Sequence, residues 1–202
     1  MNDSDIEIVR GIPAGARLDV ARIYWEAFGR KLAPSLGGRA RGVAYLETQL
    51  HSDRFLCATR SGRVIGVLGF CDGGRKAVGL SVRGLAREYS AISAPWRAAL
   101  MLILSRTPRE GELLLDGLSI APEERGHGIG SRLLGEAIAL SAYRGLKGVR
   151  LSVVDSNPRA RSLYERLGFT ATETVSIGIL ERVYGFRRAT DMVYRIPLRA
   201  AE

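Results

Sequence analysis

Two cysteines, two histidines and three lysines are all that this chain of 202 residues has of those types, and each shortage removes a class of chemistry. The alternation around Ser61-Gly62 predicts a hairpin of Phe55 to Arg60 and Arg63 to Cys71. With Arg60 facing Arg63, Cys57 faces Gly66 and Cys71 lies roughly 17 Å further on at the rise of a strand. A disulfide needs Cα atoms within about 7 Å, so none is expected, and both thiols read as buried strand residues. His51 and His127 stand at no ligand spacing from either cysteine, so no metal is expected. The longest apolar run, Ala98 to Leu104, is too short to cross a bilayer. The acidic opening Met1-Asn2-Asp3-Ser4-Asp5 leads into no apolar segment of the secretory kind, and the expected location is the cytoplasm, with no membrane partner.

Basic residues outnumber acidic ones, 30 to 21, for a net charge of +9. Only Lys31, Lys76 and Lys147 are lysines; the arginines are spread along the chain, without a clustered basic helix, a zinc module or an aromatic RNA-binding signature. That reads as a solvated arginine-rich surface rather than a nucleic-acid interface, and strongly salt-dependent binding of DNA or RNA would reveal the alternative. At 46% hydrophobic residues the chain can bury a full core, and one domain over residues 1–202 is expected.

Glu7 to Arg10 reads as a first strand, and Leu18 to Gly29 as a helix with Val20, Ile23, Tyr24, Ala27 and Phe28 at helical spacing. A break at Pro34, Gly37 and Gly38 precedes a helix over Ala40 to Leu50. The hairpin strands are apolar on both faces and therefore central. Residues 72–111 are too many for an inert loop; Val82, Leu85, Ala86 and Tyr89 fit one short helix and Ser93 to Leu104 another. The latter is apolar nearly all round and needs cover from the core, from a second copy of the chain in a homodimer, or from a substrate pocket. Ser131 to Arg144 and Arg159 to Arg166 read as helices, Val149 to Val154 and Phe169 to Ile177 as strands, and Met192 to Leu198 as a last strand that closes the sheet.

The stretch Arg125-Gly126-His127-Gly128-Ile129-Gly130-Ser131 follows the apolar run Leu113 to Ile120 and leads into Leu133, Leu134, Ala137 and Ile138. A glycine-rich turn thus joins a strand to a helix, where backbone N–H groups can approach an anion closely. A Walker loop needs Gly-Lys-Ser/Thr where Gly130-Ser131-Arg132 stands, and a dinucleotide fingerprint needs a third glycine at Ser131.

Arg-Gly-X-Gly-Ile-Gly after Leu118-Ser119-Ile120-Ala121-Pro122 resembles the acetyl-CoA loop of the GNAT N-acyltransferase family. Asn157-Pro158-Arg159-Ala160-Arg161-Ser162-Leu163-Tyr164-Glu165-Arg166-Leu167-Gly168-Phe169 is similar to that family's second cofactor segment. The resemblance implies an α/β fold, a mixed and mostly antiparallel sheet with splayed middle strands and flanking helices. It further implies an acetyl-CoA-dependent transfer to a primary amine of a small molecule or peptide. The pyrophosphate would meet Arg125, Gly126, Gly128, Ile129, Gly130 and Ser131, and the pantetheine arm the backbone of Leu118 and Ile120, as an added strand would pair. Asn157 and Ala160 match positions along that arm, although Asn157 is equally a helix N-cap.

Tyr164 matches the family's position for the acid that protonates the departing thiolate, though it also reads as a half-buried aromatic against Leu167 and Phe169. Asp116, four residues before Ile120, is the candidate base, with Glu88, Tyr89 and Tyr184 as rivals; Ser152 stands where some members carry a glutamate. His127 reads as facing phosphate and solvent. No cysteine falls in either motif, so direct attack in a ternary complex is expected rather than an acyl-enzyme. A non-catalytic acyl-CoA sensor or interaction module remains the alternative. The acceptor pocket would be built by residues 25–50, 72–111 and 176–190, with Trp25, Tyr45, Tyr89, Trp96 and Tyr184 as wall or core, and Arg83, Arg87, Arg182 and Arg187 as carboxylate binders or surface.

Overall fold

The computed structural model describes residues 5–71, 73–79, 81–103 and 106–197. Along them the chain runs β1 (Ile6–Arg10), α1 (Arg17–Leu36), α2 (Arg39–Gln49), β2 (Phe55–Arg60), β3 (Arg63–Cys71), α3 (Val82–Glu88), α4 (Ala94–Ile103) and β4 (Glu112–Ile120). It continues through α5 (Ile129–Tyr143), β5 (Gly148–Val154), α6 (Pro158–Arg166), β6 (Thr170–Ser176), α7 (Glu181–Tyr184) and β7 (Arg188–Arg195). All seven strands share one sheet in the order β1-β2-β3-β4-β5-β7-β6. β4 and β5 are its one parallel pair among the described residues, so the expected mixed, mostly antiparallel sheet is the one found.

Each face of the sheet carries its own apolar layer. Val20, Ile23 and Tyr24 of α1 pack with Val43 and Leu46 of α2 over Phe55, Cys57, Val64 and Val67. On the other face Ile129, Leu133, Ala137 and Leu140 of α5 cover Leu56, Leu68, Phe70, Leu113 and Val149. With both faces covered, β2 and β3 are buried almost end to end, as their unbroken apolar runs indicate.

Several boundaries differ from the sequence reading. α1 does not break at Pro34 but carries it in its last turn and ends at Leu36; a proline there forfeits only its own N–H bond to the preceding turn. The Arg60 to Arg63 pairing of the hairpin is present, but a bulge between Ala58 and Thr59 moves Cys57 opposite Val67 rather than Gly66. Both cysteines are free and buried. The last strand begins at Arg188, not Met192, and it does not close the sheet. It inserts between β5 and β6, leaving β6 as the edge; Leu198 lies outside the described residues. α4 is covered on one side only: Ala94 and Ala98 are buried, the helix packing against α1 and α3, while Trp96 and Leu102 are exposed.

Candidate active site

The sheet comes apart in its middle. β4 pairs with β5 only through Glu112 to Leu114, opposite Gly148 to Arg150. Beyond that, β4 stays bonded to β3 as far as Ile120 and β5 stays bonded to β7 as far as Val154, so each has one edge without a strand partner. The two edges open into a cleft of about 1130 Å³, walled by Asp116 to Ile120, Leu151 to Val154, α1, the start of α5, and α6. β4 is pinned to α1: Ser119 donates its hydroxyl to the Ile23 carbonyl at 2.5 Å, and Tyr24 donates to the Asp116 carbonyl at 3.4 Å.

The glycine loop lies at the mouth of this cleft. Gly126 (φ +88°) and Gly128 (φ +71°) both adopt the left-handed backbone that side chains disfavour, and a Cβ on either would meet no atom within 4 Å. Their glycines therefore serve backbone shape and open access, not internal packing. The first bond that closes α5 runs from the Arg132 N–H to the Gly128 carbonyl. The N–H groups of Ile129, Gly130 and Ser131 precede it and have no intrahelical acceptor. Gly130 differs from its neighbours, since its missing Cβ would stand 3.3 Å from Leu163 and 3.6 Å from Leu118; here glycine lets α5 approach the walls of the cleft. Arg125 turns its backbone N–H toward the Pro122 carbonyl at 3.4 Å and its Nε to the Ile120 carbonyl at 3.1 Å, at the end of β4. The exposed His127 contacts the Glu124 carbonyl through Nδ1, as expected for a loop residue facing solvent.

Asn157 caps α6, its Oδ1 accepting from the Ala160 N–H at 3.1 Å, which leaves its amide NH₂ uncommitted by that bond. Pro158 follows at the first helical position, where a missing N–H costs nothing. Nearly two turns on, Tyr164 points back into the cleft and is more buried than the sequence suggested, at 8% exposure, its ring 6.0 Å from that of Phe169. Burial pushes its phenol up to about 12. Asn157, Ala160, Leu163 and Tyr164 all line the cleft wall opposite Leu118 and Ile120.

Asp116 owes its orientation to a bulge. Gly69 faces Gly117 and Phe70 faces Leu115, so Asp116 is the unpaired extra residue of β4 and its side chain is re-aimed. Its carboxylate accepts the N–H groups of Val78 and Ala77 and lies near Lys76; burial outweighs these and holds its pKa above the ordinary carboxylate range. Of the rivals, Tyr89 donates to the Leu36 carbonyl and Tyr184 to the Leu100 carbonyl, while Glu88 is exposed and lines no part of the cleft. Ser152 lies across the cleft, 3.5 Å from an Arg106 nitrogen.

Sequence reasoning named the segments 25–50, 72–111 and 176–190 for this part of the cleft but did not single out Phe28, Lys31, Lys76, Arg106 or Phe186, which line it together with Tyr24. Of the aromatics it did weigh, Trp25, Tyr45 and Tyr184 are core and Trp96 is half-exposed away from the cleft. Phe28 sits at the same helical spacing as the buried face of α1, and periodicity cannot tell a cleft wall from a core.

A family model described as the acetyltransferase (GNAT) family matches residues 18–169. The chain belongs to the GNAT family. Over 56 residues it is 38% identical to thialysine N-epsilon-acetyltransferase of Bos taurus, covering 28% of this chain and 33% of that protein. It is 36% identical over the same length to the Sus scrofa protein of that name, so it spans about a third of the curated relatives it matches. The N-acetyltransferase of Staphylococcus aureus Mu50 superposes with a TM-score of 0.64 at 14% identity, covering 93% of this chain and all of that one (100%). The ribosomal-protein-S18-alanine N-acetyltransferase of Escherichia coli does so with 0.57 at 17%, covering 98% and 97%. These structures share the GNAT fold with this chain, and both sequence segments that carried the resemblance fall within the matched residues.

Proposed function

We propose that this GNAT protein is an N-acetyltransferase that binds acetyl-CoA in the split between β4 and β5 and passes the acetyl group directly to a primary amine. The observation that carries the reading is the convergence of two unpaired strand edges on the start of α5. Three N–H groups there lack acceptors, and two left-handed glycines leave open space beside them. The site suits the ligand piece by piece. The N–H groups of Ile129, Gly130 and Ser131 suit a pyrophosphate, each charge-assisted bond contributing roughly 1.5–3 kcal/mol. The free edge of β4 at Leu118 and Ile120 suits the amide-bearing arm, with Asn157 and Ala160 on the facing wall. Arg125 acts through its side chain, since its backbone N–H is turned inward.

Acetyl-CoA supplies an activated acyl group, and the chain's own residues supply the proton chemistry. An alkylammonium with pKa near 10.4 is only about one-thousandth neutral at pH 7, equivalent to roughly 4 kcal/mol. Asp116, more basic than an ordinary carboxylate and fixed by two backbone N–H groups, takes up that proton directly or through water. Tyr164, protonated across the physiological range, donates to the thiolate as the C–S bond breaks. Neither cysteine lines the cleft, and burial pushes Cys57 up to about 12, which favours direct attack over an acyl-enzyme.

The test is release of free CoA thiol from acetyl-CoA across polyamines, amino acids, aminoglycosides, arylamines and peptide N-termini. Acceptor-dependent thiol release supports the reading. Tight acetyl-CoA binding with no release for any class would instead make the protein a sensor.

A further inference from the structure

At the α1 end of the cleft the charges do not balance. The Lys31 ammonium lies 5.8 Å from the centre of the Phe28 ring and 5.3 Å from that of Phe186, and no carboxylate pairs with it among the described residues. Every acid that lines or borders this space is already taken. Glu26 is bound by Arg39 at 2.6 Å and Glu124 by Arg60, and Asp116 accepts two backbone N–H groups with Lys76 nearby. Asp191 is shared between Arg150 at 3.1 Å and Arg106 at 3.5 Å. Arg106 also opens onto the cleft and repels Lys31; together with burial it lowers the pKa of the lysine. An ammonium half-buried beside two aromatic rings without a counter-charge is costly unless a ligand brings one.

We propose that the amine acceptor carries a carboxylate, which binds Lys31 with help from Arg106 while the amine reaches toward Asp116. The inference rests on the acetyltransferase reading and names its substrate class. The geometry links the two ends of such a molecule. The Phe28 ring that borders Lys31 also lies against Gly117, the neighbour of Asp116, so Phe28 links the anion subsite to the strand that carries the base. Met101, Leu102 and Leu32 line the same cleft, giving an apolar side chain surfaces to pack against. The arginines that sequence alone suggested for this task, Arg83, Arg87, Arg182 and Arg187, do not line the cleft. Polyamines and aminoglycosides are disfavoured for the same reason that carboxylates are favoured, because their extra cations would meet Lys31 and Arg106.

The experiment measures binding of N-acetylated amino acids, with apolar side chains, and of the matching N-acetyl amino acid amides to the CoA-loaded protein by calorimetry. The carboxylates are expected to bind about tenfold tighter or more than the amides. Lys31→Met should abolish most of that preference and leave the Kd for acetyl-CoA unchanged, and Lys31→Arg should restore it. Equal binding of both forms, binding of neither, or a preference that survives in Lys31→Met overturns the proposal. Loss of the acetyltransferase reading is a separate result, visible as no thiol release with any acceptor.

Discussion

A Cβ on Gly117 would stand 2.9 Å from the ring of Phe28, closer than real contacts allow, so the helix that carries Phe28 rests directly on the backbone of β4. Gly117→Ala should push that ring aside. The expected result is destabilisation by about 1–3 kcal/mol in denaturant unfolding, the usual range for overpacking. It should also raise KM for the acceptor while the Kd for acetyl-CoA stays within about twofold.

Gly128→Ala tests the loop backbone. At φ +71° an alanine is strained by roughly 1–2 kcal/mol although nothing blocks its methyl. Acetyl-CoA binding, measured by calorimetry, should weaken about tenfold, because the strain is relieved by moving the N–H groups that face the anion. Gly130→Ala should differ in kind, its methyl pressing on Leu163 and altering stability more than the loop's shape.

Tyr164→Phe removes the hydroxyl proposed as proton donor and little else, since the ring contact with Phe169 survives. Turnover should fall about 10²-fold or more with acetyl-CoA affinity kept. Because the phenol titrates near 12, no loss of rate assignable to Tyr164 should appear up to about pH 10. An unchanged turnover would remove the assignment.

Asp116 separates function from stability. Its pKa is raised on folding, so the native state binds the proton more tightly than the unfolded one. Between the unfolded pKa and the higher folded one, stability falls as pH rises. At pH 7 the carboxylate is therefore a burden, and Asp116→Asn should be at least as stable as the parent by thermal unfolding while losing most turnover. The acid limb of kcat/KM should lie above the ordinary aspartate range in the parent and vanish in the variant.

Arg150 is 2% exposed and holds Glu112 at 3.0 Å and Asp191 at 3.1 Å, with the Thr107 carbonyl completing its bonds. Arg150→Ala should cost about 3–5 kcal/mol in denaturant unfolding, as it strands charges that stay buried.

The glycine loop and the Asn157 cap were legible because each follows from a local rule, glycine where φ is positive and a side-chain acceptor before a helix, whereas Tyr164 was singled out by the family resemblance alone. The sheet's central strands were legible from unbroken apolar runs. What the sequence concealed depends on chain segments far apart. Nothing local marks Asp116 as the extra residue of a bulge, since the count depends on how β3 aligns with β4. Nothing marks Lys31 as facing a cleft, because Phe186, more than 150 positions later, forms half of its aromatic collar. The last strand was misplaced because its first residues include the polar Arg188, Thr190 and Asp191, so its apolar stretch alone suggested a later start.

The order β5-β7-β6 also has a consequence in time. During synthesis from the N-terminus, β1 to β4 can assemble as soon as they emerge, each beside its predecessor. β5, which forms the far wall of the cleft, must wait with one edge bare until β7, the last strand, slots in beside it. The cleft is thus among the last parts of the molecule to be completed, and a chain that ends before β7 has the glycine loop and Asp116 but a far wall, β5, that no strand yet supports.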